Sequence, residues 1–344
     1  MTRIANDNAD NAVPRTPDDD VVQPFQLEVS GLRGRVVRLG PALNRILAAH
    51  EYPRSVAHLL AETVATSLLL SSMLKYEGVF TLQTSAEGPV RTMVADVTTA
   101  GAMRGYASYS ADLIGAMEAA AQKPENGPYE GFDLHHMTGK GYLAFTVDQG
   151  AFTERYQGIV SLSGQSISDA VRHYFDQSEQ IGTSLKVVAG FDPGFGWRAG
   201  AIMIQRMPDP SLGHRDRFNP DESVLPFRPE EAQDRDEDWN RAVTLMQSVT
   251  PDELLTPDLH SHDVLLRLFH EEGVRIFTPQ TVQPQCRCSE DRVRNVLATL
   301  PPDDRDHAAA NGVIEMTCEF CCRTYRFRAD DLTCVAVDEG PKTH

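Results

Sequence analysis

The chain has 344 residues, 41% of them hydrophobic, with 49 acidic against 32 basic side chains and a formal net charge of −17. That length gives room for two or three domains and at least one sizeable core. The acidic balance repels phosphate backbones and anionic lipid, which argues against a general nucleic-acid binder or a membrane-surface protein.

The N-terminus, Met1-Thr2-Arg3-Ile4-Ala5-Asn6-Asp7, lacks the apolar stretch of a signal peptide. The most apolar segment, residues 64–74, contains Thr66, Ser67, Ser71 and Ser72. It is about half as long as a bilayer requires and reads as a buried helix. The expected compartment is the cytosol, where cysteine clusters more often mean metal or redox chemistry than structural disulfides.

Residues 1–24 are polar, with Pro14, Pro17, Pro24 and the run Asp18-Asp19-Asp20, the composition of a disordered tail. A strand-like mixture follows over residues 25–37. Pro41 can open a helix carrying Leu43, Ile46 and Leu47. A longer helix is expected over residues 54–75, apolar on more than one face, as a core or interface helix would be. Strands are expected over residues 79–84, 90–97, 104–109, 142–148, 156–162, 184–189 and 198–205. Ser166 is placed to cap a helix holding Ile167, Ala170, Val171, Tyr174 and Phe175. Few helical crossovers separate these strands, so residues 25–207 predict an antiparallel α+β domain.

Residues 208–238 carry ten acids against four bases and five prolines, which marks a loop. Helical spacing resumes at Trp239, Ala242, Val243, Met246 and Val249. A second helix is expected over residues 263–272, with Val264, Leu265, Leu268 and Phe269 on its apolar side, then a short strand at residues 274–277. Residues 208–284 therefore read as an acidic loop plus a helical linker.

All six cysteines lie in the last unit, residues 285–337, ahead of a short tail at 338–344. Their pattern is Cys286-x-Cys288, a long insert, then Cys318-x-x-Cys321. Within the insert, Ser289 can cap a helix that Pro301-Pro302 stops, and residues 313–317 can form a strand. Four thiolates in a tetrahedron suit zinc, with bonds of about 2.3 Å. A unit with so little core can draw on the order of 10 kcal/mol toward folding from such a metal. Spacing alone also fits a purely structural zinc unit. Two features favour a switch. The Cys-x-Cys thiols lie close enough for a strained disulfide, and Cys288 at a helix start favours the thiolate, which oxidants attack. Cys322 competes with Cys321 for the fourth position, and the two-residue gap of a knuckle favours Cys321. Cys334 reads as a small buried residue.

The segments Cys286-Arg287-Cys288-Ser289 and Ile314-Glu315-Met316-Thr317-Cys318-Glu319-Phe320-Cys321 resemble the zinc domain of the heat shock protein 33 family, bacterial redox-regulated holdases. Glu253-Leu254-Leu255 and Leu266-Arg267-Leu268-Phe269-His270-Glu271-Glu272 resemble its linker. Glu154-Arg155-Tyr156-Gln157-Gly158-Ile159-Val160 and Tyr174-Phe175-Asp176-Gln177-Ser178-Glu179-Gln180 resemble its N-terminal domain. The resemblance covers roughly residues 25–335. It implies a substrate-binding domain, a metastable helical linker and a zinc sensor ligated by Cys286, Cys288, Cys318 and Cys321. It further implies disulfides Cys286–Cys288 and Cys318–Cys321 after oxidation, zinc release, homodimer formation and binding of unfolding client proteins. The family usually has glycine where Cys322 stands. Residues near 110–138 and 190–236 look longer than its usual form, and the acidic N-terminal tail is extra.

The resulting expectation is a non-enzymatic chaperone, inactive when reduced and zinc-bound. Trp239, Val243, Met246, Leu265, Leu268 and Phe269 are the candidate client contacts, with ordinary amphipathic packing as their alternative role. The competing class is a zinc-stabilised nucleic-acid or protein interaction module. Arg323, Arg326 and Arg328 form its small basic patch. His135-His136 reads as a surface loop. His262 and His270 stand too far apart on one helix for a two-ligand motif, and no catalytic constellation stands out.

Overall fold

The structure is a computed structural model and describes residues 2–3, 18–74, 76–121, 132–150, 156–179, 181–206, 235–309 and 312–328. They divide into two units, Met1–Pro284 and Gln285–His344. The first unit opens with β1 (Thr2–Arg3), β2 (Val21–Leu27) and β3 (Leu32–Leu39), then α1 (Pro41–Leu47) and α2 (Arg54–Ser71). It continues through β4 (Val79–Ala86), β5 (Val90–Thr98), β6 (Ala102–Tyr109), α3 (Ala111–Ala120), α4 (Leu134–Thr138), β7 (Gly141–Asp148), β8 (Tyr156–Ser161), α5 (Ile167–Tyr174), β9 (Thr183–Asp192) and β10 (Gly196–Gln205). The linker forms α6 (Arg235–Gln247), α7 (Pro251–Leu255) and α8 (Ser261–Phe269), and β11 (Val274–Ile276), β12 (Gln280–Thr281) and β13 (Gln283–Pro284) close the unit.

Two sheets organise it. The first runs β1-β11-β2-β3-β10-β9, with β12 also on β2, and the second runs β13-β6-β5-β4-β7-β8. All pairings are antiparallel except β13 on β6. This is the expected α+β class, with one parallel pairing added. Helix α2 is buried on nearly every side because both sheets pack on it. Leu60, Val64 and Leu68 join Val37, Ala201 and Met203 of the first sheet and Leu82, Met93 and Phe145 of the second in one core. That is why its apolar residues do not keep to a single stripe.

The first sheet is covered on its other face as well. Phe25, Leu27, Leu32, Val36, Ile202 and Ile204 meet Ala242, Met246, Leu254, Leu265, Leu268 and Phe269 from α6, α7 and α8. Every residue of β3 is consequently buried. A strand between two covering layers shows no alternation of buried and exposed residues.

Several elements depart from the sequence reading. The strand expected from residue 25 begins at Val21, and Asp18, Asp19 and Asp20 just before it are packed into the unit rather than loose. Pro24 sits inside β2, where its carbonyl accepts from the Phe277 amide at 3.1 Å. His135 and His136 lie in α4, which Asp133 caps through the His136 amide at 2.9 Å, and not in a loop. Helix α5 carries the expected Ser166 cap, completed by Asp169 as a capping box. His262 is on α8, whereas His270 falls beyond it in a 3-10 turn. Cys334, the 338–344 tail, and most of the 1–24 and 208–238 segments lie outside the described residues.

Candidate metal centre and the linker contacts

The second unit is built on a hairpin. Strands β14 (Val313–Thr317) and β15 (Thr324–Arg328) pair from Thr317↔Thr324 to Val313↔Arg328, and the turn between them holds the second cysteine pair. Helix α9 (Glu290–Ala298) begins after the first pair, capped by the Ser289 side chain on the Arg292 amide at 3.2 Å. Pro301-Pro302 does end that helical segment, but Pro302 also opens a further short helix, α10 (Pro302–Ala308), since proline suits a first helical position. The core of this unit is small. Leu297, Ile314 and Phe327 are buried, with Val293, Leu300 and Tyr325 partly buried against them.

The Sγ atoms of Cys286, Cys288, Cys318 and Cys321 all lie within 4.8 Å of one another. Cys286 and Cys318 are 3.6 Å apart, and Cys288 and Cys321 are 3.4 Å apart. Four sulfurs at about 2.3 Å from a tetrahedral zinc are about 3.8 Å from each other. A disulfide needs about 2.05 Å. The cage therefore fits a metal held by thiolates, and it is not a set of disulfides. The knuckle that shapes it is closed by Cys322 N donating to Cys318 O at 2.8 Å and Cys318 N donating to Arg323 O at 3.0 Å.

Cys322 is exposed and outside the four-sulfur group. Its φ of 54° lies in the left-handed region. That conformation suits glycine, which gives a physical reason for a glycine at this turn.

The thiols are not equivalent. Burial pushes Cys286 up, but hydrogen bonds from the Cys288 amide and the neighbouring thiols outweigh it and bring Cys286 down to about 7. Burial pushes Cys321 up, and sharing protons with Cys288 and Cys286 takes it to about 12. Burial also raises Cys318. Tyr325, which the sequence offered only as a half-buried strand residue, donates its hydroxyl to Cys288 Sγ at 3.2 Å. Of the basic patch, Arg326 is paired with Glu315 on the facing strand at 2.5 Å. Arg323 hydrogen-bonds Tyr325, and its guanidinium pKa is raised by that contact. Arg328 stands exposed at the end of β15.

The six candidate client contacts share one place in the first unit. Met246, Leu265, Leu268 and Phe269 are buried under the first sheet's outer face, and Trp239 and Val243 are partly buried beside them. Phe269 stacks on Phe25 with ring centroids 5.9 Å apart. Three cations of the sheet hold the linker backbone. Lys186 Nζ donates to Val249 O at 2.6 Å and Gln247 O at 3.0 Å, at and just beyond the end of α6. Arg38 donates to Leu259 O at 2.6 Å and also to Thr256 O, and Arg198 donates to Leu255 O. Sequence reasoning passed over these three. An arginine in a strand buried on both faces was the available signal, because such a cation must find acceptors.

The family model described as Hsp33 protein matches residues 20–328. A relative named 33 kDa chaperonin, from Caulobacter vibrioides (strain NA1000 / CB15N), is 35% identical over 313 residues, 90% of this chain and 94% of its own. One of the same name from Ectopseudomonas mendocina (strain ymp) is 34% identical over 316 residues, 91% and 94% of the two chains. The crystal structure of a 33 kDa chaperonin, a heat shock protein 33 homolog, from Thermotoga maritima superposes with a TM-score of 0.69 at 19% identity, covering 91% of this chain and 96% of that one. Among the described residues, no helix is long and apolar enough to cross a membrane.

Proposed function

Because the chain belongs to the Hsp33 protein family, we propose that it is a redox-regulated holdase chaperone, closed when its four cysteines are reduced and open to unfolding client proteins when they are oxidised. What supports this reading is a four-sulfur cluster in one unit and, in the other, three helices covering an apolar sheet face. Cys286, Cys288, Cys318 and Cys321 would hold one zinc ion, which would supply about 10 kcal/mol of folding energy that a three-residue apolar cluster cannot.

Oxidation by a peroxide then acts on the cysteines themselves. One thiolate attacks the O–O bond, becomes a sulfenic acid and releases water or an alcohol. A second thiolate displaces hydroxide from that sulfur, which leaves as water, and a disulfide forms. Each pair loses two electrons to one peroxide, so two peroxides oxidise the four thiols. The nearest sulfurs in the folded cage are cross-pairs, Cys286 with Cys318 and Cys288 with Cys321. Once the cage opens, chain entropy favours the short loops Cys286–Cys288 and Cys318–Cys321 instead. Disulfide sulfurs lack the thiolate charge that holds a metal, and residues 285–328 lose their order. Cys286 follows β13 by two residues, so that loss is felt first at the end of the linker.

Release of α6, α7 and α8 would bare Phe25, Leu27, Leu32, Val36, Ile202 and Ile204 on the sheet, and Met246, Leu265, Leu268 and Phe269 on the helices. Clients with exposed apolar segments fit such surfaces, and so does a second copy of the chain, so that oxidation would also favour a homodimer. The role is binding and not catalysis, and a cytoplasmic location accords with reduced thiols as the resting state. The test is light scattering from a thermally unfolding client, run with zinc release and thiol count on the same samples. Peroxide-treated protein should suppress aggregation after losing one zinc and four thiols. Equal suppression by the reduced, zinc-loaded form would refute the switch.

A further inference from the structure

The three consecutive aspartates before β2 each take a separate partner. Asp20 accepts from the Gly40 and Ala42 amides at 3.0 and 2.9 Å and so caps α1. Asp19 pairs with Arg198. Asp18 accepts from both the amide and the hydroxyl of Ser261, each at 2.6 Å, and lies 3.4 Å from Arg38 Nε. Ser261 is the first residue of α8, so a carboxylate 243 positions away in the chain satisfies that helix's N-terminus. His260 Nε2 is 3.9 Å from the same carboxylate.

Arg38 and Arg198 each serve two purposes. Their side chains are 1% and 5% exposed. Each donates to linker carbonyls on one side and meets an aspartate on the other. A buried guanidinium needs both acceptors for its protons and a counter-charge. Withdrawing the aspartates leaves two cations unbalanced against a backbone that offers only carbonyls. Withdrawing the linker strips both arginines of carbonyl acceptors and Asp18 of Ser261. The two dockings are therefore energetically coupled.

We propose that Asp18 and Asp19 are positioning residues of an autoinhibitory latch, which locks α7 and α8 onto the first sheet through Arg38, Arg198 and Ser261. This deepens the reading of the linker as a releasable cover and rests on it. The latch lies wholly within residues 18–284, so the linker has a restraint of its own, separate from the cysteine cage. Its strength sets how far the linker opens when the cage is lost. Displacing the aspartates opens it without any oxidant.

The test uses the full chain, reduced and zinc-loaded, as wild type and as the Asp18→Asn, Asp19→Asn double variant. Asparagine keeps the shape and an acceptor but removes the charge. Hydrogen exchange by mass spectrometry should show amides of residues 250–269 exchanging about tenfold faster in the variant, with α2 amides and zinc content unchanged. Asp20→Asn serves as the second variant. Its carboxylate caps α1 and not the linker, so residues 250–269 should keep the wild-type rate. Unchanged linker exchange in the double variant overturns the latch. So does equal acceleration in α2, or the same acceleration in Asp20→Asn. Client light scattering on the same samples separates the two ideas. Faster linker exchange without aggregation suppression keeps the latch and sinks the cover as the client-binding switch.

Discussion

The Tyr325 hydroxyl donates to Cys288 Sγ at 3.2 Å. A donor on a thiolate spreads its charge and fixes its direction, as outer partners of metal ligands do. Tyr325→Phe keeps the ring that packs against Leu297, Ile314 and Phe327 and removes only that bond. Zinc affinity should fall by about tenfold, the low end for loss of an outer partner. Competition with a chromogenic chelator measures it, and peroxide-driven zinc release should be faster as well. Unchanged affinity would mean that the hydroxyl contributes nothing to the cage.

The four-cysteine cluster was legible because its information is local. Two short cysteine spacings and a capping serine are enough to bring the pairs together, and the alternation in residues 324–328 marks the strand that follows. Strands β4 and β8 were legible for a similar reason, since they bury alternate residues over most of their length. Asp18, Asp19 and Asp20 were not, because polar composition reads as a tail and their partners lie 20 to 243 positions away. Strands β12 and β13 have two residues each, too short for any period to show. Helix α10 was hidden by a proline pair that reads as a stop, although the second proline is also a start.

Cys322 occupies a left-handed turn at φ 54° and is exposed. Cys322→Gly should stabilise the reduced, zinc-loaded second unit by about 1 kcal/mol, the usual penalty of that backbone for a residue with a Cβ. Zinc content should stay at one per chain, because the four-sulfur group does not include Cys322. Thermal unfolding and metal analysis check both halves. A drop in zinc content would make Cys322 a ligand and reopen the choice against Cys321.

Phe269 is fully buried and stacked on Phe25, so truncation tests the cover directly. Phe269→Ala should cost about 3–5 kcal/mol, the range for removing a buried aromatic. The loss falls on the packing of α8 against the sheet. The reduced variant should bind an apolar dye and slow client aggregation without oxidant, while Cys286, Cys288, Cys318 and Cys321 keep their zinc. An inert reduced variant that is folded and zinc-loaded would separate client binding from this face.

Acid should loosen the same region through Glu253. Burial pushes its carboxyl up, but the Thr250 amide and hydroxyl and the Arg267 guanidinium outweigh that and hold it below the usual 4.5. The amide bond is 2.8 Å, and Arg267 Nε is 2.5 Å from Oε1. A folded-state pKa below the unfolded one means the stabilisation is complete above about pH 4.5 and is lost as pH falls through the folded value. The pair is partly exposed, so the contribution is modest, below about 1 kcal/mol. Amide protection of α7 and α8 should therefore decline in the window beneath pH 4.5 while that of α2 holds. Glu253→Gln keeps a side chain able to complete the capping box but carries no charge for Arg267. It should show slightly lower protection at neutral pH and a flatter acid profile. A variant profile that still falls as steeply as the wild type would assign the acid sensitivity to another carboxylate.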